Sequence, residues 1–309
     1  MSDILDCLII GSGPAGMSSG IYASRAGLKV ALIEYDAPGG KLVKTHKVEN
    51  YPGIASTSGV DLALKMFDHV SNSGVEILSG KVSDIKKEDN LFKTYVDEKV
   101  FLSKTVIVAS GTKERHLGLE FENQFIGRGI SFCAVCDGSL YKDKDVIVIG
   151  GGNSALEESL YLAKFCHKVT IVIRRDQFRG DQSVVDVVLN TKNIDIIYNS
   201  TPLELMINQQ QITGLRVINK FSQQVTEIPA MCIFPYIGAD PETKFLSRFN
   251  ILDDSGFIIV DNNMATSVAG LFGAGDVIKK HLRQIVTATN DGAIAALSAN
   301  AYLKGVTNV

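Results

Sequence analysis

Leu5-Asp6-Cys7-Leu8-Ile9-Ile10-Gly11-Ser12-Gly13-Pro14-Ala15-Gly16 opens the chain with a mostly apolar run that breaks directly into glycines at G-x-G-x-x-G spacing. A short apolar run of this kind suits a strand buried on both faces. Small and apolar residues then dominate from Met17 to Ala26, which predicts a helix, and Lys29-Val30-Ala31-Leu32-Ile33 reads as a second strand ending at Glu34. The unit is β-α-β. Gly11 permits the tight turn, Gly13 lets the backbone approach a pyrophosphate, and Gly16 lets the helix pack close to the strand. With Ser12, Pro14 and Ala15 between them, these glycines place a helix N-terminus toward phosphate. Glu34 falls where a carboxylate accepts from ribose hydroxyls and repels a 2′-phosphate, so the site calls for an unphosphorylated adenosine, as in FAD or NAD.

A second fingerprint lies further along. Asp145-Val146-Ile147-Val148-Ile149 is again a buried strand, and Gly150-Gly151-Gly152-Asn153-Ser154-Ala155 supplies G-x-G-x-x-A before a helical stretch to Ala163. The next strand, Lys168 to Ile173, ends in Arg174-Arg175 with Arg179 close behind, not in an acid. Guanidinium groups there suit a ribose phosphate, so this site calls for NADP.

Between the fingerprints sits Ser131-Phe132-Cys133-Ala134-Val135-Cys136-Asp137-Gly138. Alone, a C-x-x-C is also half of a zinc site. Flanked by two nucleotide fingerprints, it marks a path for two electrons between a nucleotide and a disulfide. Cys7, Cys166 and Cys232 offer no second paired spacing and read as core residues. The histidines, His46, His69, His116, His167 and His281, are scattered along the chain and read as surface or capping residues.

Composition narrows the classes. With 309 residues, 45% of them hydrophobic, the chain can build two domains. A formal charge of -3 without a long basic run argues against a nucleic-acid partner. No apolar stretch approaches a membrane span, and Met1-Ser2-Asp3 lacks the basic start of a signal peptide. Five cysteines, an odd number in a long chain, fit a reducing compartment, so a cytoplasmic protein is expected.

Two punctuation points suggest how the units connect. Thr105 to Ala109 reads as a strand closed by Ser110-Gly111-Thr112, and Gly238-Ala239-Asp240-Pro241-Glu242 follows another near Ile233. Read as crossings, they make residues 114–244 an inserted domain and residues 1–113 with 245–309 a discontinuous one. The fold class is α/β, with two Rossmann-like, three-layer nucleotide-binding domains, the NADP domain inserted in the first. In the resumed part, Thr266 to Val277 reads as a short strand running into a glycine turn with Asp276, which is open to two readings: a ligand for flavin ribityl hydroxyls, or a helix cap.

The order of Gly-Ser-Gly-Pro-Ala-Gly, Glu49-Asn50-Tyr51-Pro52-Gly53, Cys-Ala-Val-Cys-Asp, Gly-Gly-Gly-Asn-Ser-Ala, Arg-Arg-Asp-Gln-Phe-Arg, Gly-Ala-Gly275-Asp276 and Arg283-Gln284-Ile285 resembles the low-molecular-weight thioredoxin reductases over nearly the whole chain. The resemblance implies a homodimer with one FAD per subunit, reduced by NADPH, that reduces the disulfide of thioredoxin. It implies that FAD is held by Gly11 to Gly16, Glu34 and the loop through Gly40 and Lys41, Asn50, Gly275, Asp276, Arg283, Gln284 and Ile285. NADPH would be held by Gly152, Asn153, Ser154, Arg174, Arg175 and Arg179. Cys136 would face the flavin, Cys133 would attack the partner, and Asp137 would exchange protons with the pair. Three residues depart from the family pattern: Lys41 in place of glutamine, Leu282 in place of tyrosine and Ile173 in place of histidine. A flavin-dependent dithiol oxidase, a reductase of another protein disulfide and a nucleotide-binding redox sensor are the rival readings.

Overall fold

The computed structural model describes residues 4–45 and 48–305, so the Met1-Ser2-Asp3 start and His46 lie outside the described residues. The chain divides into two compact units, Met1–Lys44, Val48–Lys113 and Asp240–Val309 forming one and Glu114–Ala239 the body of the other. The chain rejoins the first unit at Asp240, ahead of Phe245. Glu242 explains this: its N–H donates to the Gly111 carbonyl at 3.1 Å, and its own carbonyl accepts from Ser110 Oγ at 2.7 Å.

In the first unit the strand Leu5–Ile10 runs parallel to Val30–Glu34 on one side and to the second half of Lys99–Val108 on the other. Glu76–Ser79 and Leu271–Gly273 extend the parallel sheet at its two ends. The first half of Lys99–Val108 leaves that sheet to pair antiparallel with Leu91–Val96, which pairs with Val82–Glu88. Alternation along Leu5–Ile10 separates two cores. Cys7 and Ile9 pack with Met17, Ala295 and Ala299 of the helices, whereas Leu8 and Ile10 pack with Ile85, Phe92 and Ile258 on the other face. The result is three layers.

The helix Pro14–Arg25 begins where the glycines predict, with Gly13 as N-cap and Pro14 at its first position. Gly11 has φ +100°, and a Cβ there would lie 2.5 Å from the Ala109 carbonyl oxygen. Only glycine fits that turn. A Cβ on Gly16 would lie 1.8 Å from the Gly11 oxygen, so helix and turn are in backbone contact.

The second unit repeats the plan. Ile194–Ile197, Lys168–Val172, Asp145–Ile149 and Cys232–Pro235 form a parallel sheet in that order. One face packs on the helices Asn153–Ala163 and Gln182–Leu189. The other packs on an antiparallel sheet of Ser200–Asn208, Gln211–Asn219 and Val225–Pro229. No helix among the described residues is long and apolar enough to cross a membrane.

Candidate functional site

In the second unit Cys133 and Cys136 form a disulfide with Cα atoms 5.3 Å apart. Cys133 is the N-cap of a single helical turn, Ala134–Asp137, and its Sγ accepts the Cys136 N–H at 3.2 Å. From the sequence, a strand ending at Phe132 would let the motif open a helix, whose dipole would favour the thiolate. Instead Ile130 makes isolated bridges to Ile126 and Ile233, Phe132 lies in a bend, and the turn passes at once into the 3₁₀ segment Gly138–Tyr141. One turn carries little macrodipole, so the polarity at Cys133 comes from the local Cys136 N–H.

Asp137 is buried, and its Oδ2 accepts from Ser131 Oγ at 2.6 Å. The Ser131 oxygen in turn accepts the Cys133 N–H at 3.2 Å. At the start of the turn the Ala134 N–H donates to the Tyr236 hydroxyl at 2.7 Å, and the Asp137 N–H donates to the Cys133 carbonyl at 3.0 Å. Burial, helped by the Glu158 carboxyl, holds the Tyr236 phenol well above its ordinary range.

The same unit contains a cavity of about 630 Å³ lined by Gly150, Gly151, Arg174, Arg175 and Arg179, with Arg115 and His116 beside them. Its volume is that of a cofactor cleft. Gly150 has φ +146°, and a Cβ there would lie 2.3 Å from the Tyr236 carbonyl oxygen. Gly152, Asn153 and Ser154 stand at the start of the helix rather than in the lining. Asn153 fixes the neighbouring loop: its Nδ2 donates to Asp181 Oδ2 at 3.1 Å and its Oδ1 accepts the Asp181 N–H at 2.7 Å. Arg179 is anchored by its N–H to the Gly151 carbonyl at 2.7 Å.

In the first unit Glu34, Gly40 and Gly275 converge on the N-terminus of Pro14–Arg25. Glu34 Oε2 accepts from both the N–H and the Oγ of Ser12 at 2.7 Å, which holds the carboxylate against the glycine turn. A Cβ on Gly40 would lie 3.4 Å from the Gly13 Cα, and one on Gly275 would lie 2.7 Å from the Ala15 Cβ. Asn50 Nδ2 donates to Gln284 Oε1 at 3.2 Å, Arg283 Nε donates to the Asp276 carbonyl at 3.3 Å, and Gln284 caps the helix that Ile285 begins. At Gly13, as at Gly152 in the second unit, an added Cβ would meet nothing within 4 Å. Each turn therefore faces open space at its second glycine, as close approach of a pyrophosphate would require.

Residues 5–292 match the pyridine nucleotide-disulphide oxidoreductase family. The thioredoxin reductase of Mycoplasma pneumoniae is 45% identical over 297 residues, 96% of this chain and 94% of the relative. That of Ureaplasma parvum is 43% identical over 97% of each chain. The crystal structure of thioredoxin reductase from Streptococcus pyogenes superposes with a TM-score of 0.93 at 41% identity, covering 99% of this chain and all of that one. The chain belongs to the pyridine nucleotide-disulphide oxidoreductases, among the thioredoxin reductases.

Against the family pattern, the three departures have distinct surroundings. Lys41 Nζ donates to Thr112 Oγ1 at 2.6 Å and lies 3.4 Å from Asp276 Oδ2, so it ties the loop after Gly40 to the glycine turn at Asp276. Ile173 is a core residue, 2% exposed, whereas Leu282 is 55% exposed. Cys7, Cys166 and Cys232 are free and buried, as core cysteines should be.

Sequence inspection of this thioredoxin reductase family member misses several polar residues that the fold brings in: Ser131, Tyr236, Glu158, Lys280 and Asp291. Ser131 opens the cysteine motif, and Glu158 and Lys280 each lie within four residues of a motif, but none has a residue type that marks it. Glu158, on the helix Asn153–Ala163, has a buried Oε2 without a hydrogen-bond partner among the described residues. Burial, with the neighbouring Glu157 carboxylate, pushes its carboxyl up to about 7. Because the folded value lies above the unfolded one of about 4.3, the folded state keeps its proton longer, and stability falls as pH rises between the two. Glu158→Gln should therefore be about 1–2 kcal/mol more stable than the parent at pH ~8 and indistinguishable near pH ~4. Urea melts at the two pH values check this.

Proposed function

We propose that this chain is an NADPH-dependent thioredoxin-disulfide reductase that binds FAD in its first unit and NADPH in its second. The observation that carries the reading is the Cys133–Cys136 disulfide on a one-turn helix with a buried carboxyl at Asp137, in the unit that also holds the arginine-lined cavity. Held at the glycine turn Gly11 to Gly16 and Glu34, FAD would supply the hydride-accepting chemistry that carries an electron pair from NADPH to the disulfide, with one proton from solvent. The residues present suit both nucleotides. Glu34, fixed by Ser12, favours an adenosine without a 2′-phosphate, and Arg174 and Arg175, exposed at the cavity, favour one that carries it.

The chain's own residues account for the exchange with the partner. Once the pair is reduced, the Cys133 sulfur keeps the Cys136 N–H as a donor, which favours its thiolate and makes it the attacking group. Cys133 passes its proton to Asp137 and its sulfur displaces one partner sulfur; the partner S–S bond breaks as a mixed disulfide forms, and Asp137 gives that proton to the leaving thiolate. Cys136 then passes its proton to Asp137 and attacks Cys133 Sγ. The internal disulfide re-forms, and the second partner sulfur leaves with that proton. Two electrons and two protons have moved to the partner.

Three buried free cysteines fit a reducing, cytoplasmic setting. Val286 and Leu297, exposed about three turns apart on the last helix, suit packing against a second copy. The test mixes purified protein, NADPH and thioredoxin and follows thiol release. Turnover supports the reading; NADPH consumption with oxygen alone, or none with any dithiol carrier, replaces it with an oxidase or a sensor. For the double variant Arg174→Ala, Arg175→Ala, KM for NADPH should rise about 10–100-fold with little change for NADH, the value of two charge-assisted contacts in an open site. Steady-state kinetics with both nucleotides measure it.

A further inference from the structure

We propose that Ser131 is a positioning residue whose hydroxyl holds the Asp137 carboxyl group in place for proton exchange with the Cys133–Cys136 pair. The inference rests on that pair being the one that reduces a partner disulfide.

Ser131 is 4% exposed, and its backbone N–H donates to the Ile233 carbonyl at 3.0 Å. Ile233 lies in the fully buried strand Cys232–Pro235, so the serine is fixed to the central sheet rather than to the turn that carries the cysteines. Its hydroxyl has one proton and two acceptors in reach, Asp137 Oδ2 at 2.6 Å and the Cys133 carbonyl at 3.3 Å. The shorter bond to the carboxyl group takes the proton, because a charge-assisted O–H···O⁻ contact is the stronger one. The same oxygen accepts the Cys133 N–H at 3.2 Å. One buried hydroxyl thus joins the acid to the backbone of the attacking cysteine, and both are referred to the sheet.

Two consequences follow. A donor to the carboxylate favours its charged form, so without Ser131 the group would hold its proton to higher pH. The carboxyl would also lose its tether and have to find the thiols by rotation.

Other ionisable groups surround it. Tyr141 follows on the 3₁₀ segment, Cys232 and Tyr236 lie on and after the strand Cys232–Pro235, and Glu158 sits on the helix that packs against Ala134–Asp137. Burial raises Tyr141, Cys232 and Tyr236 far enough to keep them protonated. That leaves Glu158, whose carboxyl burial pushes up to about 7, as the group to separate from Asp137 and the thiols.

The test compares Ser131→Val with Ser131→Thr, which share a shape and differ in the hydroxyl, each with and without Glu158→Gln. The Val form should show kcat/KM for thioredoxin about tenfold lower near neutrality, with the acid limb of its pH profile about one pH unit higher, a tenfold change in the protonation equilibrium. Thr should restore both, and the displacement should persist with Glu158→Gln. Val and Thr profiles that superimpose after scaling, or a displacement that vanishes with Glu158→Gln, would overturn the proposal. Ser131→Ala against the parent serine carries the same comparison if the larger side chains do not fold. An NMR titration of isotope-labelled aspartate, with the Asp137 signal identified by Asp137→Asn, needs no acceptor. It should show the same upward displacement in the Val form even if the wild type reduces no thioredoxin, and an unmoved signal counts against Ser131 alone.

Discussion

Cys133→Ser should reduce thioredoxin turnover to background while the protein still takes up one hydride equivalent from NADPH. An alcohol does not ionise near neutral pH and forms no bond to a partner sulfur, so both the nucleophile and the internal disulfide are lost together. Cys136→Ser should fail differently. Cys133 remains, and position 136 still offers its backbone N–H to the Cys133 sulfur, the contact seen at 3.2 Å. The attack proceeds but nothing resolves it, and a covalent one-to-one adduct with thioredoxin accumulates. A non-reducing gel distinguishes the two variants. An adduct with Cys133→Ser and none with Cys136→Ser would exchange the roles of the cysteines.

Asp291→Ala should cost about 3–5 kcal/mol, the usual consequence of leaving one member of a buried ion pair without its partner. Asp291 and Lys280 pair with side chains 7% and 13% exposed, and Asp291 Oδ2 also accepts the Gly275 N–H at 3.1 Å. The next residue, Gly292, approaches so closely that a Cβ would lie 2.2 Å from the Ala15 carbonyl oxygen. The pair therefore fixes the turn that presents Asp276 to the start of the helix Pro14–Arg25. Loss of stability should come with easier release of FAD, read by denaturant melts of the apoprotein and by flavin fluorescence on dilution. Lys280→Met combined with Asp291→Asn should cost less than the sum of the single changes, because no charge is left buried alone. Additive costs would mean that the two side chains act independently.

Much of this protein is legible without coordinates because its chemistry is carried by local patterns. Gly11, Gly13 and Gly16 announce strand, turn and helix in one stretch because their spacing is local, although the atom that demands glycine at position 11 is the distant Ala109 carbonyl oxygen. The same holds for Gly150 to Ala155, and the short spacing of Cys133 and Cys136 brings the two sulfurs together within one turn. Glu34 and Arg174 are readable because a strand of predictable length delivers them to its end.

Tertiary structure alone decided what surrounds those motifs. Ser131 reaches Asp137 because Ile233, a hundred residues on, fixes its backbone, and Tyr236 reaches Ala134 from beyond the same strand. Lys280 and Asp291 meet where the last helix packs on the turn Gly275–Val277. The sequence also promises a helix dipole behind the cysteines, and the fold supplies a single turn with individually satisfied N–H groups instead. Local sterics and spacing determine a turn, a strand end or a cysteine pair by themselves. A buried hydrogen bond between distant residues depends on register and packing across a sheet, and no short-range pattern encodes it.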